Sequence, residues 1–233
     1  MTDAAPTPDP VPDLLEARPE TAYFWGRVAG DGELTDEAVT VRAGDEQAAD
    51  ALAALTGVDD VDHSQTARTS AHDSSIVRYD DEYELTVVGA PADRASAALG
   101  LPQSGSPGGY RFGAFSEQYS QLLRGMLEAC GTVCFRESSG SVGISFVHDD
   151  EQFLDTVRAL LDDIGPHVPT EDLEDSSSGG YWFSVADDAD IDEFAAWLYA
   201  GSDQTGLYAS DRRQKLRRSV ERATGKETGE LSP

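Results

Sequence analysis

Residues 24–34, FWGRVAGDGEL, set Asp31 between Gly30 and Gly32 at the end of an apolar stretch that carries Arg27. A carboxylate there has two uses: it can give oxygen ligands to a hard cation such as Mg²⁺, or it can end a helix and turn the chain. Cys130 and Cys134, in CGTVC, are too few for a four-ligand zinc site. They read as buried or helix-end thiols, with redox chemistry or soft-metal binding as the alternative. His63, His72, His148 and His167 are scattered and are expected at surface or hairpin positions. Arg212, Arg213, Lys215, Arg217, Arg218 and Arg222 form the one local concentration of positive charge. A helix salt-bridged onto an acidic body explains that run, and so does a phosphate contact. Tyr181, Trp182, Trp197 and Tyr199 are expected in the core rather than as stacking platforms.

The elements that would position these groups follow from pattern. Tyr23, Phe24, Trp25 and Val28 predict a buried helix ending at the glycine of GDG. ELTDEAVTVRAG reads as a hairpin, and DEQAADALAALTG as an amphipathic helix opened by Asp45 and closed by Gly57. Two extended segments and a short helix begun at Pro91 complete the first set. The Gly, Pro and Ser of residues 103–115 mark a linker. SEQYSQLLRGMLEACG then predicts a helix, TVCFRESSGSVGISFV a hairpin around Ser139-Gly140, and DDEQFLDTVRALLDDIG an amphipathic helix. GGYWFSV predicts a strand, IDEFAAWLYAG a helix, and SDRRQKLRRSVERATG a last, basic helix.

The second set repeats the first in residues as well as in order. The stretch from Val39 to Leu55 parallels that from Gly143 to Leu160, and Tyr83-Glu-Leu-Thr-Val87 parallels Tyr181-Trp-Phe-Ser-Val185. An internal duplication accounts for both. The expected fold is α+β: two pseudo-symmetric αββαββα halves with saddle-like antiparallel sheets. The expected boundaries are a flexible Pro-rich leader at 1–20, a first half at 21–102, a linker at 103–115, a second half at 116–222 carrying the basic helix, and a tail at 223–233.

Composition bounds the setting. The chain has 233 residues and a formal net charge of −27, with acids spread over every segment. Of its 17 basic residues only Lys215 and Lys226 are lysines. This acidic, lysine-poor surface resembles that of proteins from extreme halophiles, whose molar salt shortens the Debye length to about 3 Å and screens the repulsion. The charge therefore speaks of surroundings rather than of a ligand. No stretch approaches the roughly 20 apolar residues of a membrane span, and the first residues lack a secretory pattern. A cytoplasmic protein without membrane contact is expected.

With these residues in hand, the chain resembles a single-chain LAGLIDADG protein, the fold of homing endonucleases, over about residues 20–222. Phe24 to Gly32 corresponds to the first copy of the nine-residue motif and Leu123 to Gly131 to the second. The segment Phe194–Arg218, with WLYAG, GLYASDRR and KLRR, is similar to the family's closing stretch. The resemblance implies two helices crossing at a pseudo-twofold axis with Gly26 and Gly125 at the contact, in a pseudo-symmetric monomer. It also implies one carboxylate per helix end holding Mg²⁺ over the scissile phosphates of duplex DNA.

Asp31 occupies that metal position in the first copy, whereas Cys130 stands there in the second. Glu128, two residues earlier, is the remaining candidate acid for a cutting or nicking enzyme that uses Asp31 and Glu128. A neutral thiol is a poor ligand for Mg²⁺, so the reading carried forward is a non-cleaving binding or regulatory module. Arg42, Arg78 and Arg136 on the strands, with Arg212, Arg213 and Lys215 on the last helix, are the candidate DNA contacts; Arg68 adds one more strand cation. Bacterial non-cutting relatives carry an added helix-turn-helix, which is not seen here. A third reading is an accessory role in cobalamin biosynthesis, on a likeness to short acidic proteins with FWGRVAGDGEL-like and CGTVCF-like stretches.

Overall fold

A computed structural model describes residues 6–69, 77–89, 91–103, 106–177 and 179–225; the side chains of 67–69, 77–79 and 93 also lie outside the described set. Within it the chain runs α1 (Pro19–Asp31), β1 (Glu33–Leu34), β2 (Ala38–Ala43), α2 (Glu46–Thr56), β3 (Asp62–Thr69), β4 (Val77–Val88) and α3 (Pro91–Leu99). A 3-10 turn at Gly113–Gln118 leads into α4 (Tyr119–Cys130), β5 (Gly131–Arg136), β6 (Ser141–His148), α5 (Glu151–Asp162), β7 (Glu174–Asp175), β8 (Tyr181–Ser184) and α6 (Ile191–Leu198). Two helices, α7 (Ser202–Thr205) and α8 (Ser210–Thr224), follow. The αββαββα order thus occurs twice.

The two four-stranded antiparallel sheets have equivalent strand orders, β1-β2-β4-β3 and β5-β6-β8-β7. Register makes the duplication residue-exact. Thr40 pairs with Thr86 in the first sheet and Ser145 with Ser184 in the second; Arg42 pairs with Glu84 where Val147 pairs with Trp182. Each β-β unit feeds a helix capped by an Asp: Asp45 accepts from the Ala48 amide and Asp150 from the Gln152 amide. Gly57 ends α2 in the left-handed conformation, φ 69°, the geometry that a glycine past a helix end supplies.

Alternation then assigns the faces. Val39, Val41, Ala43, Leu85 and Val87 of the first sheet, and Val133, Val142, Ile144, Phe146 and Phe183 of the second, are buried against the helices. The open faces carry Thr40, Arg42, Glu84 and Thr86 in one half and Thr132, Cys134, Arg136, Ser145, Val147, Trp182 and Ser184 in the other. Trp182, expected in the core, is on the open side of its strand. The core position beside it belongs to Phe183, which stacks on Phe146 with ring centroids 5.3 Å apart.

The sheets are joined through α1 and α4, whose crossing leaves no room for side chains. A Cβ on Gly26 would stand 2.1 Å from the Leu122 carbonyl oxygen, and one on Gly125 2.4 Å from the Tyr23 oxygen. One turn on, a Cβ on Gly30 would lie 2.6 Å from that of Ala129. Gly26 and Gly125 therefore sit where the resemblance places them, and Gly30 with Ala129 extends the contact toward the helix ends. Gly32 is not a left-handed cap. Its backbone is extended (φ −103°, ψ −178°), and a Cβ there would be 2.6 Å from the Thr40 oxygen, so this glycine is required by packing.

The expected leader is held to the body over part of its length. Trp25 Nε1 donates to the Leu14 oxygen at 2.6 Å, the Val11 amide donates to Leu55, and Leu14 is buried. Residues 103–115 likewise carry Tyr110 and Phe112, and end at Phe115, all three buried. Gly26→Ala and Gly125→Ala should each cost about 3 kcal/mol by forcing the two backbones apart, while Gly44→Ala, whose Cβ meets nothing within 4 Å, should stay within about 0.5 kcal/mol. Denaturant unfolding followed by circular dichroism measures all three.

Candidate functional site

The ends of α1 and α4 arrive side by side, because the small-residue contact runs on to Gly30, whose Cβ would be 3.4 Å from Cys130 Sγ. Asp31 and Cys130 are thus equivalent residues at the seam between the halves. Each helix ends by donating a glycine amide to the carbonyl four residues back: Gly32 to Val28 and Gly131 to Leu127.

Asp31 keeps a half-exposed side chain, with Arg42 beside it. Arg42 Nη1 donates to the Asp31 carbonyl oxygen at 3.1 Å and lies 3.8 Å from its carboxylate, while Nε donates to Glu84 Oε2 at 2.9 Å. The guanidinium, about a quarter exposed, is thereby shared by two acids on the open face of the first sheet. The backbone of Arg42 is fixed from below, its carbonyl accepting from the buried Arg27 guanidinium.

Cys130 has no such surroundings. Its thiol donates to the Met126 oxygen at 3.3 Å, and burial, reinforced by the Asp31 carboxylate, pushes it up to about 12. It is a neutral hydrogen-bond donor at physiological pH. Cys134 lies exposed on the open face opposite Gly143; the two cysteines are free.

Glu128 is not at this surface. It is buried between the helices, where Oε2 accepts from Tyr23 Oη at 2.7 Å and from the Ala209 amide at 2.8 Å. Burial pushes its carboxyl above the usual range, while Arg27 and Arg124 pull it back. Arg124, also buried, donates to the Leu198 oxygen at 3.0 Å and lies 5.5 Å from the Tyr23 ring centroid and 5.9 Å from that of Tyr199. Of the two acids proposed for one centre, Asp31 is half-exposed at the seam, whereas Glu128 joins α1, α4 and the start of α8 from inside.

The fit of Mg²⁺ can be judged from the donors. A shared two-acid cradle needs a carboxylate from each helix end. Here one end offers a carboxylate with a guanidinium 3.8 Å away and the other a protonated thiol. Among the described residues no three or more His, Cys, Asp or Glu side chains are gathered as metal donors. The residues present do not fit the ion.

The candidate DNA contacts fall on separate surfaces. Arg42 and Arg136 lie on the open faces, Arg136 with Asp187 at 2.5 Å. Arg78 is in β4 across from Arg68, and both side chains lie outside the described residues. Arg212, Arg213 and Lys215 are elsewhere. Helix α8 packs on the helix side of the second sheet, since Arg222 lies 4.2 Å over the ring of Phe135, which shares the Val133 face of β5. Within α8, Arg213 is ion-paired with Asp203 and lies 4.6 Å over the Tyr208 ring, and Arg212 is half-buried. Lys215 and Arg218 are exposed on its outer side.

Sequence reasoning missed Arg27, Arg124 and Glu84. Glu84 was legible, because the parallel of Tyr83–Val87 with Tyr181–Val185 already set it against Trp182. Of the scattered histidines, His63 is exposed and bonded to Asp81 at 2.8 Å, His167 is exposed, and His148 is half-buried, its Nδ1 accepting from the Asp150 amide; His72 is outside the described residues. The two thiols give a direct measurement: maleimide at pH 8 should modify Cys134 first and Cys130 at least about 100-fold more slowly, because thiolate is the reacting form. Peptide mass spectrometry over time reads both rates.

The α+β architecture can now be set beside known proteins. Residues 1–226 match the LAGLIDADG family described as "Putative archaeal homing endonuclease". No curated protein matches the chain. Among solved structures, the homing endonuclease I-WcaI bound to its DNA recognition sequence is similar at 6% identity and a TM-score of 0.51, covering 85% of this chain and 85% of that one. Full-length DUF199/WhiA from Thermatoga maritima is similar at 11% identity and a TM-score of 0.50, covering 95% of this chain. The match spans 64% of that longer protein. I-DmoI in complex with DNA and Mn is similar at 15% identity, with a TM-score of 0.42 over 81% of this chain and 96% of that one. At these identities the likeness is one of fold. Matched over residues 1–226 and built as two αββαββα halves joined at glycine-lined helices, the chain belongs to the LAGLIDADG family of archaeal homing-endonuclease-like proteins.

Proposed function

We propose that this chain is a non-cleaving LAGLIDADG protein that holds duplex DNA across the open faces of its two sheets in a high-salt cytoplasm. The observation that carries the reading is the inequality of the two helix ends, a carboxylate engaged by Arg42 on one side and a protonated thiol on the other. Two-strand hydrolysis needs an acid at both ends to place a cation over each scissile phosphate. Loss of one acid removes that chemistry and leaves the scaffold intact. Support for DNA as the ligand comes from the family match and from I-WcaI, a fold relative bound to its DNA recognition sequence.

The open faces set the style of contact. By register, Glu33, Asp62, Asp80, Glu82 and Glu84 share the first sheet's open side with Arg42, and the second sheet's open side is mainly Thr, Ser, Gly, Val147 and Trp182 around Arg136. Such a surface gains little from polyelectrolyte attraction. In molar salt the repulsion from its acids is also screened within about 3 Å. Hydroxyl hydrogen bonds and apolar contact to base edges then contribute most of the recognition. The net charge of −27 supports the same environment.

Two measurements test this. With Arg42 held by Asp31 and Glu84 and Arg136 by Asp187, few cations are left for phosphates, and binding to a randomised duplex pool should weaken with log salt at a slope no steeper than about −2. Incubation with Mg²⁺ should leave both strands whole. Metal-dependent nicking that disappears in Asp31→Ala would establish the enzyme reading instead, and no retention of duplex at any salt concentration would remove DNA from the account. The second measurement is thermal: the unfolding temperature should rise by on the order of 10 °C between about 0.1 M and molar KCl, as self-repulsion is screened. An unfolding temperature independent of KCl would contradict the high-salt setting.

A further inference from the structure

The corner formed by Asp31, Arg42 and Glu84 is built around a cation that the chain itself provides. Three oxygens from two elements converge on one guanidinium: the Asp31 carbonyl at 3.1 Å and its carboxylate at 3.8 Å, from the end of α1, and Glu84 Oε2 at 2.9 Å, from β4. The side chain that fills the corner comes from a third, β2, and the buried Arg27 guanidinium holds its backbone oxygen from below. Among the described residues Arg42 is the one cation ion-paired with either acid, and neither acid could be left facing the other without electrostatic cost.

The second half gives an independent observation. Under the registers that pair Arg42 with Glu84 and Val147 with Trp182, the counterparts of the three members are Cys130, Val147 and Trp182. Acid, base and acid are replaced together by three uncharged side chains. A carboxylate kept for a helix end alone would not require the cation and second acid to vanish with it. The three behave as one unit, present whole or absent whole.

We propose that Arg42 is the resident cation of this corner, occupying the place of a divalent ion beside Asp31, so that its removal creates a divalent-cation site made of Asp31 and Glu84. The native corner carries one positive and two negative charges and has no ligand position open. Neutralising Arg42 leaves two carboxylates and a peptide carbonyl, a hard-oxygen set of the kind that takes Mn²⁺ or Mg²⁺. This inference goes beyond the DNA-holding reading, and no nucleic acid enters its test.

The experiment titrates Mn²⁺ into the full chain in KCl, with free Mn²⁺ read by electron paramagnetic resonance. Wild type and Arg42→Lys should show only diffuse binding to surface acids. Arg42→Gln should gain one site about tenfold tighter than that background, and Arg42→Gln/Asp31→Asn should lose it. Circular dichroism reports folding of each variant, and Arg42→Ser replaces Arg42→Gln if the latter does not fold. A titration of Arg42→Gln or Arg42→Ser that matches wild type overturns the proposal, as does a new site that persists in the Asp31→Asn double variant.

Discussion

The close approach of α1 and α4 is the constraint on which the rest of the molecule depends. Two helix backbones meet at Gly26 and Gly125 with carbonyl oxygens where Cβ atoms would be. This distance leaves no room for a layer of side chains, so the two halves share one core and each sheet is set by the helix that precedes it. It also brings the two helix ends together, because the contact continues through Gly30 and Ala129 to Asp31 and Cys130. Position at the seam is thus fixed by packing, before any chemistry is chosen. The residue at each end then decides what the seam can do.

Such an approach excludes apolar filler and moves polar groups into the flanks. Arg27, Arg124 and Glu128 are each buried beside the crossing, and Glu128 satisfies both Tyr23 and the amide that leads into α8. Buried charges contribute little net stability, yet removing one partner leaves the others unpaired. Their effect is to fix arrangement: α8 is tied to α4 from within, while Ser210 reaches Gln47 at the head of α2 in the other half. The basic helix therefore bridges the halves on the side away from the open sheet faces, and its charge is partly consumed by Asp203 and Glu137.

Much of this was legible in the residues. Asp45 and Asp150 announced their helices by local capping physics, and Gly57 and Gly140 marked turns that need a left-handed residue. Gly26 and Gly125 at the helix contact were implied by the resemblance to the LAGLIDADG motif. What stayed hidden depends on register and burial. Arg42 looked like a free cation because nothing local shows that β2 lies against Glu84 of β4, some forty residues on. Glu128 was read as a candidate acid and Arg124 drew no reading, because charged residues are rarely fully buried and nothing in the sequence marks these two as exceptions. Trp182 looked like core because a four-residue strand with Tyr, Trp and Phe in succession has no alternation from which to read a face.

The duplication makes one more step possible. Two copies of one element order carry opposite chemistry at the same place: Asp31, Arg42 and Glu84 against Cys130, Val147 and Trp182. A symmetric ligand such as duplex DNA presents equivalent phosphates to both halves, but this seam answers them unequally, with a closed ionic cluster and an uncharged wall. Under the proposed reading, the unequal helix ends lack the paired acids that would place a cation over each strand. They can orient an asymmetric sequence, since a partner that fits the uncharged half with apolar contact meets hydrogen-bonding side chains and charge in the other. In that reading, the inequality that leaves one helix end without an acid is also the feature that gives the proposed binding surface a direction.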